Sequence, residues 1–404
     1  MSDATHSSRP RACIDLGALR ANVARARALA RGRECIAVVK ADGYGHGVLP
    51  VAREALAGGA SRLAVVTVDE AAELRAGAIA CPLLVLGGAR SPAEARALAE
   101  ARAAAVVHHE DGVAWLVEAA RRAGRRVPVQ VEVDTGMHRM GVPAAEAAAF
   151  CARVAAHPSL ALQGVFTHFA CADDPDPTSA LAQCARLREV LGELAVRGVA
   201  TGEVHAANSA GLLSPALLDA LPEATAVRPG LMLYGVSPAA HLGDAGLRPV
   251  MSLRAPVVRI HDVPRGEAVG YAASWRAPRA TRVATLALGY ADGVAWTAGS
   301  ASCDGRARES GARVWLGGAA CPVVGRISMD SMSVDVGPAD ALARAPGGGA
   351  PVELGDEAIL FGPDDEGAVP IRVEDAARSA GTLHYELLVR VGRRVAREYT
   401  GASV

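Results

Sequence analysis

The sequence predicts an α/β chain: a (β/α)8 barrel followed by a mainly antiparallel β domain. Eight compact apolar runs alternate with Ala/Arg/Leu-rich helical stretches up to about residue 240, the pattern of a barrel. No G-x-G-x-x-G follows the first run, which argues against an open doubly wound sheet. After residue 245 helical periodicity fades, and short β-like runs separated by Gly and Pro turns replace it. The expected division is 1–245 for the barrel and 246–404 for the β domain, with residues 1–12 a candidate to pack with the latter.

The expected barrel strands are Cys35–Lys40, Leu63–Val68, Leu83–Leu86, Ala104–His108, Val129–Val133, Leu162–His168, Glu203–Asn208 and Ala224–Arg228. They are short and β-branched, as strands buried on both faces must be. Ser91-Pro92 opens a helix with an N-cap followed by an N1 proline. Other helices are expected near 47–58, 69–77, 111–123, 143–156, 178–198 and 211–220. The β domain reads as Val250–Ile260, Arg282–Leu288, Arg313–Leu316, Pro322–Val324, Met332–Val336 and Glu357–Phe361. Gly317-Gly318 and Gly347–Gly349 mark turns, and Ala345–Pro351 a surface loop. One short helix near Val373–Ser379 carries Glu374 and Asp375 in its first turn.

Composition excludes several classes. The chain has 404 residues, 51% apolar and 21% charged, so it is globular rather than disordered. A net charge of −1 gives no basic field for nucleic acid or anionic membrane. The uncharged stretch Pro229–Gly243 is too short and too broken to span a bilayer. Met1–Pro10 is polar, without the apolar core of a secretory signal. Cysteines at 13, 35, 81, 151, 171, 184, 303 and 321 form no C-x-x-C pair. They read as reduced thiols in a cytoplasmic protein with no zinc site.

One residue stands apart. Lys40 is the only lysine among the 42 Lys and Arg side chains. Arginine keeps its proton, whereas lysine can lose it and act as a nucleophile, so a lysine surviving such a bias marks chemistry that Arg cannot do. Lys40 falls at the carboxyl end of the first expected strand, where barrel enzymes gather their active sites. Glycines 43, 45 and 47 follow and allow a tight turn beside a ligand. A partly desolvated lysine there can join a carbonyl cofactor covalently.

Val38-Val-Lys-Ala-Asp-Gly-Tyr-Gly-His-Gly47 resembles the pyridoxal-phosphate lysine motif of the alanine racemases. The resemblance continues in Val133-Asp-Thr-Gly-Met-His-Arg-Met-Gly141, His205-Ala-Ala-Asn-Ser-Ala210, Arg228-Pro-Gly-Leu-Met-Leu-Tyr-Gly235, Val269-Gly-Tyr271, Gly289-Tyr-Ala-Asp-Gly293, Gly325-Arg-Ile-Ser-Met-Asp330 and His384-Tyr-Glu386. It covers nearly the whole chain in the family's order. It implies interconversion of L- and D-alanine, supplying D-alanine for peptidoglycan, in a homodimer whose active sites are shared between subunits.

The resemblance also implies roles. Ser209, Gly230, Leu231, Tyr44 and Tyr385 hold the cofactor phosphate, which suits hydroxyls and backbone N–H groups at a helix start. Arg228 meets the ring nitrogen. Because Arg cannot give up its proton, the ring stays a weaker electron sink, which favours α-proton exchange over side reactions such as transamination. Racemisation needs proton transfer on both faces of the α-carbon. Lys40 serves the D-enantiomer's proton, and Tyr271, reaching the cofactor of the opposite subunit, the L-enantiomer's. Arg139 holds the substrate carboxylate and the cofactor's phenolate oxygen. Met329, through its backbone N–H, and Tyr290 complete the carboxylate pocket from the partner. His168 supports Arg228 rather than acting itself, and Asp330 is placed beside the Met329 site.

The pattern is broken at two places. Many family members carry a carbamylated lysine two residues before the Asp of Asp-Thr-Gly-Met; here Glu132 stands there and already presents a carboxylate that can orient Arg139. Val294 replaces a tyrosine common after Gly-Tyr-Ala-Asp-Gly. The nearest rival reading is a broader racemase acting on serine and other small amino acids. A non-catalytic pyridoxal-phosphate carrier lacks reason for a β domain and Tyr271, and a decarboxylase of the same barrel type lacks its signature cysteine motif.

Overall fold

The computed structural model describes residues 9–299, 311–339 and 350–402. Two compact units share the chain. Among the described residues, one runs from Gly17 to Arg248, and the other joins those up to Leu16 with those from Pro249 to Ala402.

The first unit is a closed parallel barrel. Its strands are Glu34–Val38, Arg62–Val65, Leu83–Val85, Ala104–Val107, Val127–Asp134, Leu160–Phe166, Glu203–His205 and Ala226–Val227. Each pairs in parallel with the next, and the eighth pairs with the first. Ile36, Leu63, Leu84, Val131 and Val165 are fully buried, which explains the β-branched runs of the sequence.

Seven of the eight strands stop earlier than expected, three of them just before a site residue. The first ends at Val38, because Ala41, Asp42 and Gly43 adopt φ near +55° to +60° and cannot continue a ladder. Lys40 therefore opens the following turn, Lys40–Tyr44, rather than closing the strand. The sixth ends at Phe166, since its neighbour stops at His205, and His168 lies just beyond. The eighth ends at Val227; Arg228 is the next residue, its N–H donating to Ala207 at 2.7 Å. The helix expected near 211–220 is two short ones, Ser209–Leu213 and Pro215–Ala220, interrupted at Pro215.

The second unit is built around a ring of six antiparallel strands. In order they are Thr281–Leu286, Met332–Pro338, Ala319–Val324, Arg313–Leu316, Glu357–Phe361 and Met251–Val263, the last returning to the first. Gly317 and Gly318, with φ of +60° and +79°, form the two-residue hairpin turn between Arg313–Leu316 and Ala319–Val324. Arg11–Asp15 adds antiparallel to Met251–Arg254 and parallel to Ala396–Thr400. Arg11 fixes this edge through Glu357 at 2.6 Å and Glu398 at 2.7 Å. Helix Val373–Ala380 carries Glu374 and Asp375 in its first turn, and helix His384–Arg390 follows.

The Gly347–Gly349 turn, most of the Ala345–Pro351 loop and Cys303 lie outside the described residues. Among the described residues seven cysteines carry free thiols, no group of His, Cys, Asp and Glu could hold a metal, and no helix is long and apolar enough to cross a membrane.

Candidate active site

In the barrel unit, the expected residues collect at the carboxyl ends of the strands. Lys40 is largely buried. Burial, with Arg139's charge adding to it, holds its amine below the usual lysine range, and Glu70 partly opposes this. After Lys40 the backbone turns left-handed through Ala41, Asp42, Gly43, Tyr44 and Gly45. The Ala41 N–H donates to Glu70 at 2.6 Å, and Asp42 accepts the Val48 N–H at 2.7 Å. The Tyr44 ring stacks on Tyr234 at 4.6 Å. Tyr234 in turn donates to the Val38 carbonyl at 3.1 Å.

This turn carries the Tyr44 phenol against Gly230. A Cβ at Gly230 would stand 2.5 Å from the phenol oxygen, so a larger residue there would push Tyr44 aside. Ser209 Oγ accepts N–H bonds from Gly230 at 3.0 Å and Met232 at 3.2 Å. Asn208 caps helix Ser209–Leu213 by accepting from Gly211, which leaves the Ser209 hydroxyl for the loop opposite. Leu231 lies inside the same turn, between the two donors. Two hydroxyls and a row of backbone N–H groups thus meet around glycine, the donor set a phosphate requires. The residues present fit pyridoxal phosphate: a phosphate cradle at one side of the barrel mouth and an amine with depressed basicity at another.

Arg228 is buried to 3% exposure. Its guanidinium donates to His205 Nδ1 and to the Thr167 carbonyl at 2.9 Å, and reaches His168 Nδ1 at 3.3 Å. Its charge lies over the Phe166 ring, 4.8 Å from the centroid. Complete burial pulls it down to about 10, against the pull of Glu132 and Glu203. The same burial, with Arg228, Arg139 and Lys40 nearby, drives His168 down to about 3, so its ring stays neutral and can accept. Glu132 is buried between two cations: burial pushes its carboxyl up, while Arg228 and Arg139 pull it back. Arg139 is exposed on the loop after the fifth strand, which Asp134 shapes by accepting the Gly136 and His138 N–H groups at 2.9 and 3.1 Å.

The second unit presents the remaining residues as exposed side chains. Tyr271 is 69% exposed, Met329 52%, Tyr290 39% and Tyr385 37%. Gly270, at φ +76°, turns the chain into Tyr271 and packs on Arg326. Tyr290 and Met329 sit on paired loops: the Tyr290 N–H donates to Ser328 at 3.1 Å and the Ala291 N–H to Met329 at 3.0 Å. Arg394 ties the loops, reaching Asp292 at 3.2 Å and Asp330 at 2.8 Å. Tyr385 stacks on His384 in its helix.

Sequence reading turned His168 toward Arg228, but gave no role to Met232 or to the other partners of Arg228, Thr167 and His205. His205 lay inside a quoted motif, but a polar residue within a strand gives no signal of what it touches.

Comparison with known proteins identifies the family. The family model for the alanine racemase N-terminal domain matches residues 14–238, and that for the C-terminal domain residues 250–399. The alanine racemase of Desulfovibrio desulfuricans is 38% identical over 390 residues, covering 96% of each chain. The crystal structure of alanine racemase from D-cycloserine-producing Streptomyces lavendulae superposes with a TM-score of 0.86 at 36% identity, covering 98% of each chain. That of Bacillus anthracis alanine racemase with bound L-Ala-P gives 0.83 at 31%, covering 98% of this chain and 95% of that one. This chain belongs to the alanine racemase family.

Proposed function

We propose that the protein interconverts L- and D-alanine by two-base proton transfer, with pyridoxal phosphate attached to Lys40. The names of its relatives support alanine as the substrate. The observation that carries the reading is the solitary lysine, buried beside Arg139 and set on a left-handed turn that also delivers Tyr44 to the donor cradle.

Bound there, the cofactor would withdraw electrons from the substrate and acidify its α-C–H bond. Tyr44, Ser209, Gly230 and Leu231 hold the phosphate, joined by Tyr385. Arg228 presents an obligate donor to the ring nitrogen without surrendering a proton. Lys40 Nζ, kept weakly basic by burial, takes or returns the α-proton on one face. Tyr271 Oη, from the partner subunit, does so on the other. Arg139, steadied by Glu132, orients the carboxylate, with the Met329 N–H and Tyr290 completing the pocket. The protein works in the cytoplasm as a homodimer and supplies D-alanine for peptidoglycan.

The test combines activity with trapping. Purified protein should absorb in the near-visible, and borohydride should bleach it and leave an adduct that peptide mapping assigns to Lys40. Lys40→Arg should lower D-alanine formation by more than about a thousandfold. A Lys40→Arg protein with undiminished D-alanine production overturns the reading.

A further inference from the structure

Arg228 ends a chain of polar side chains that crosses the barrel interior. Its guanidinium donates to His205 Nδ1. The other ring nitrogen of His205 meets Gln130 Oε1 at 2.8 Å, and Gln130 Nε2 donates to Glu203 at 3.0 Å. Glu203 pairs with Arg62 at 3.2 Å. Gln130 and His205 are completely shielded from solvent.

Each link has one permitted direction. A guanidinium only donates, so His205 Nδ1 must be bare and Nε2 must carry the hydrogen. An ionised carboxylate only accepts, so Gln130 must turn its NH2 to Glu203 and its oxygen to His205. The two charged ends therefore demand the same imidazole tautomer and the same amide orientation.

The barrel makes room for this chain. Gln130, Gly164 and Glu203 stand level across the fifth, sixth and seventh strands. A Cβ at Gly164 would fall 2.9 Å from Gln130 Cδ and 3.0 Å from its Nε2. Gly164 is thus required by space, so that the Gln130 side chain can cross the sixth strand to Glu203. Phe166 stacks on the His205 ring at 4.6 Å and fixes its plane.

We propose that Gln130 and Glu203 are positioning residues of the racemase: acting through His205, they hold the Arg228 guanidinium in one orientation for the ring nitrogen of the cofactor. The inference rests on the reading that Arg228 meets that nitrogen, and the experiment separates the two. In Glu203→Gln a carboxamide that can donate as well as accept frees Gln130 to flip, so the tautomer is no longer set from that end.

The holoenzyme is labelled with 15N-histidine, and the His205 ring signals are read beside kcat, KM and the melting temperature. Wild type should show hydrogen on Nε2 alone. Glu203→Gln should shift the His205 ring signals, because the ring Nε2–H loses a fixed acceptor at Gln130, and lower kcat about tenfold, with KM for alanine moving less than about twofold. Unchanged kcat in folded Glu203→Gln overturns the proposal, even if the melting temperature falls. So does a lower kcat with unmoved His205 signals, since the effect then runs by another route. Should Glu203→Gln fail to fold, Gln130→Met, apolar and of similar length, carries the same two outcomes. A wild-type protein that makes no D-alanine would instead overturn the functional reading, while its His205 pattern still tests the chain.

Discussion

A buried imidazole that neighbours three cations cannot take a proton at ordinary pH, and His168 meets that condition. Folded, it protonates only near about pH 3; unfolded, it does so near about 6.5. Between these values the unfolded chain binds more protons, so stability falls as pH drops through that window. His205 is depressed by burial and by Arg228 in the same direction. The urea midpoint should therefore be lower at pH 5 than at pH 7, and His168→Asn should narrow the gap. A variant with the full wild-type gap would remove His168 from the account. Glu132 makes a different case. Burial raises its carboxyl while two guanidiniums pull against that, and a neutral amide of the same shape would lose both attractions. Glu132→Gln should raise KM for alanine several-fold, roughly threefold to tenfold, and spare most of kcat, because Arg139 loses its anionic neighbour while Lys40 keeps its place. Steady-state kinetics indistinguishable from wild type would show that Glu132 does not orient Arg139.

The turn after the first strand explains how much of the site could be read from the sequence. Glycines at 43, 45 and 47 announce a sharp bend. They do not announce that Ala41, Asp42 and Tyr44 also take φ near +53°, since Ala and Tyr avoid that region and Asp enters it only at times. Each costs on the order of 1–2 kcal/mol, offset here by bonds from Glu70 and Asp42 and by the Tyr44–Tyr234 stack. Strain of this kind is settled by contacts with later parts of the chain, and periodicity carries no record of them. What it achieves is visible in space: the Tyr44 phenol lands against Gly230 beside the Ser209 donors. Gly230→Ala puts a methyl where the phenol oxygen now sits. The barrel should still form, because Gly230 lies outside its strands, but pyridoxal phosphate affinity should fall at least about tenfold, about 1.4 kcal/mol. Titrating cofactor into stripped protein and following absorbance measures this. Wild-type affinity in Gly230→Ala would mean that the phosphate is held elsewhere.

At the scale of the molecule, the parallel barrel was legible because strands buried on both faces leave continuous β-branched runs that stop at helix caps. Strand Arg11–Asp15 was not: its partners lie at Met251–Arg254 and Ala396–Thr400, far along the chain, and pairing at such separation leaves no local pattern. Nor was the Gln130–His205–Glu203 chain, because its members are single polar residues on two strands, 73 and 75 positions apart in sequence. The division of labour between two units bears directly on assembly. Lys40 belongs to the barrel unit and Tyr271 stands exposed on the other; the site proposed above would take its two bases from different chains. Complementation tests that arrangement. Lys40→Ala and Tyr271→Phe should each be nearly inactive alone. Unfolded together and refolded as a mixture, half of the dimers should pair one variant with the other if association is random. In each such dimer one site combines the intact Lys40 of one chain with the intact Tyr271 of its partner, and the other site carries both lesions. One good site in half of the dimers predicts recovery of about a quarter of wild-type activity. Were both bases supplied by one chain, every site would keep a lesion, and the mixture would stay as inactive as its components.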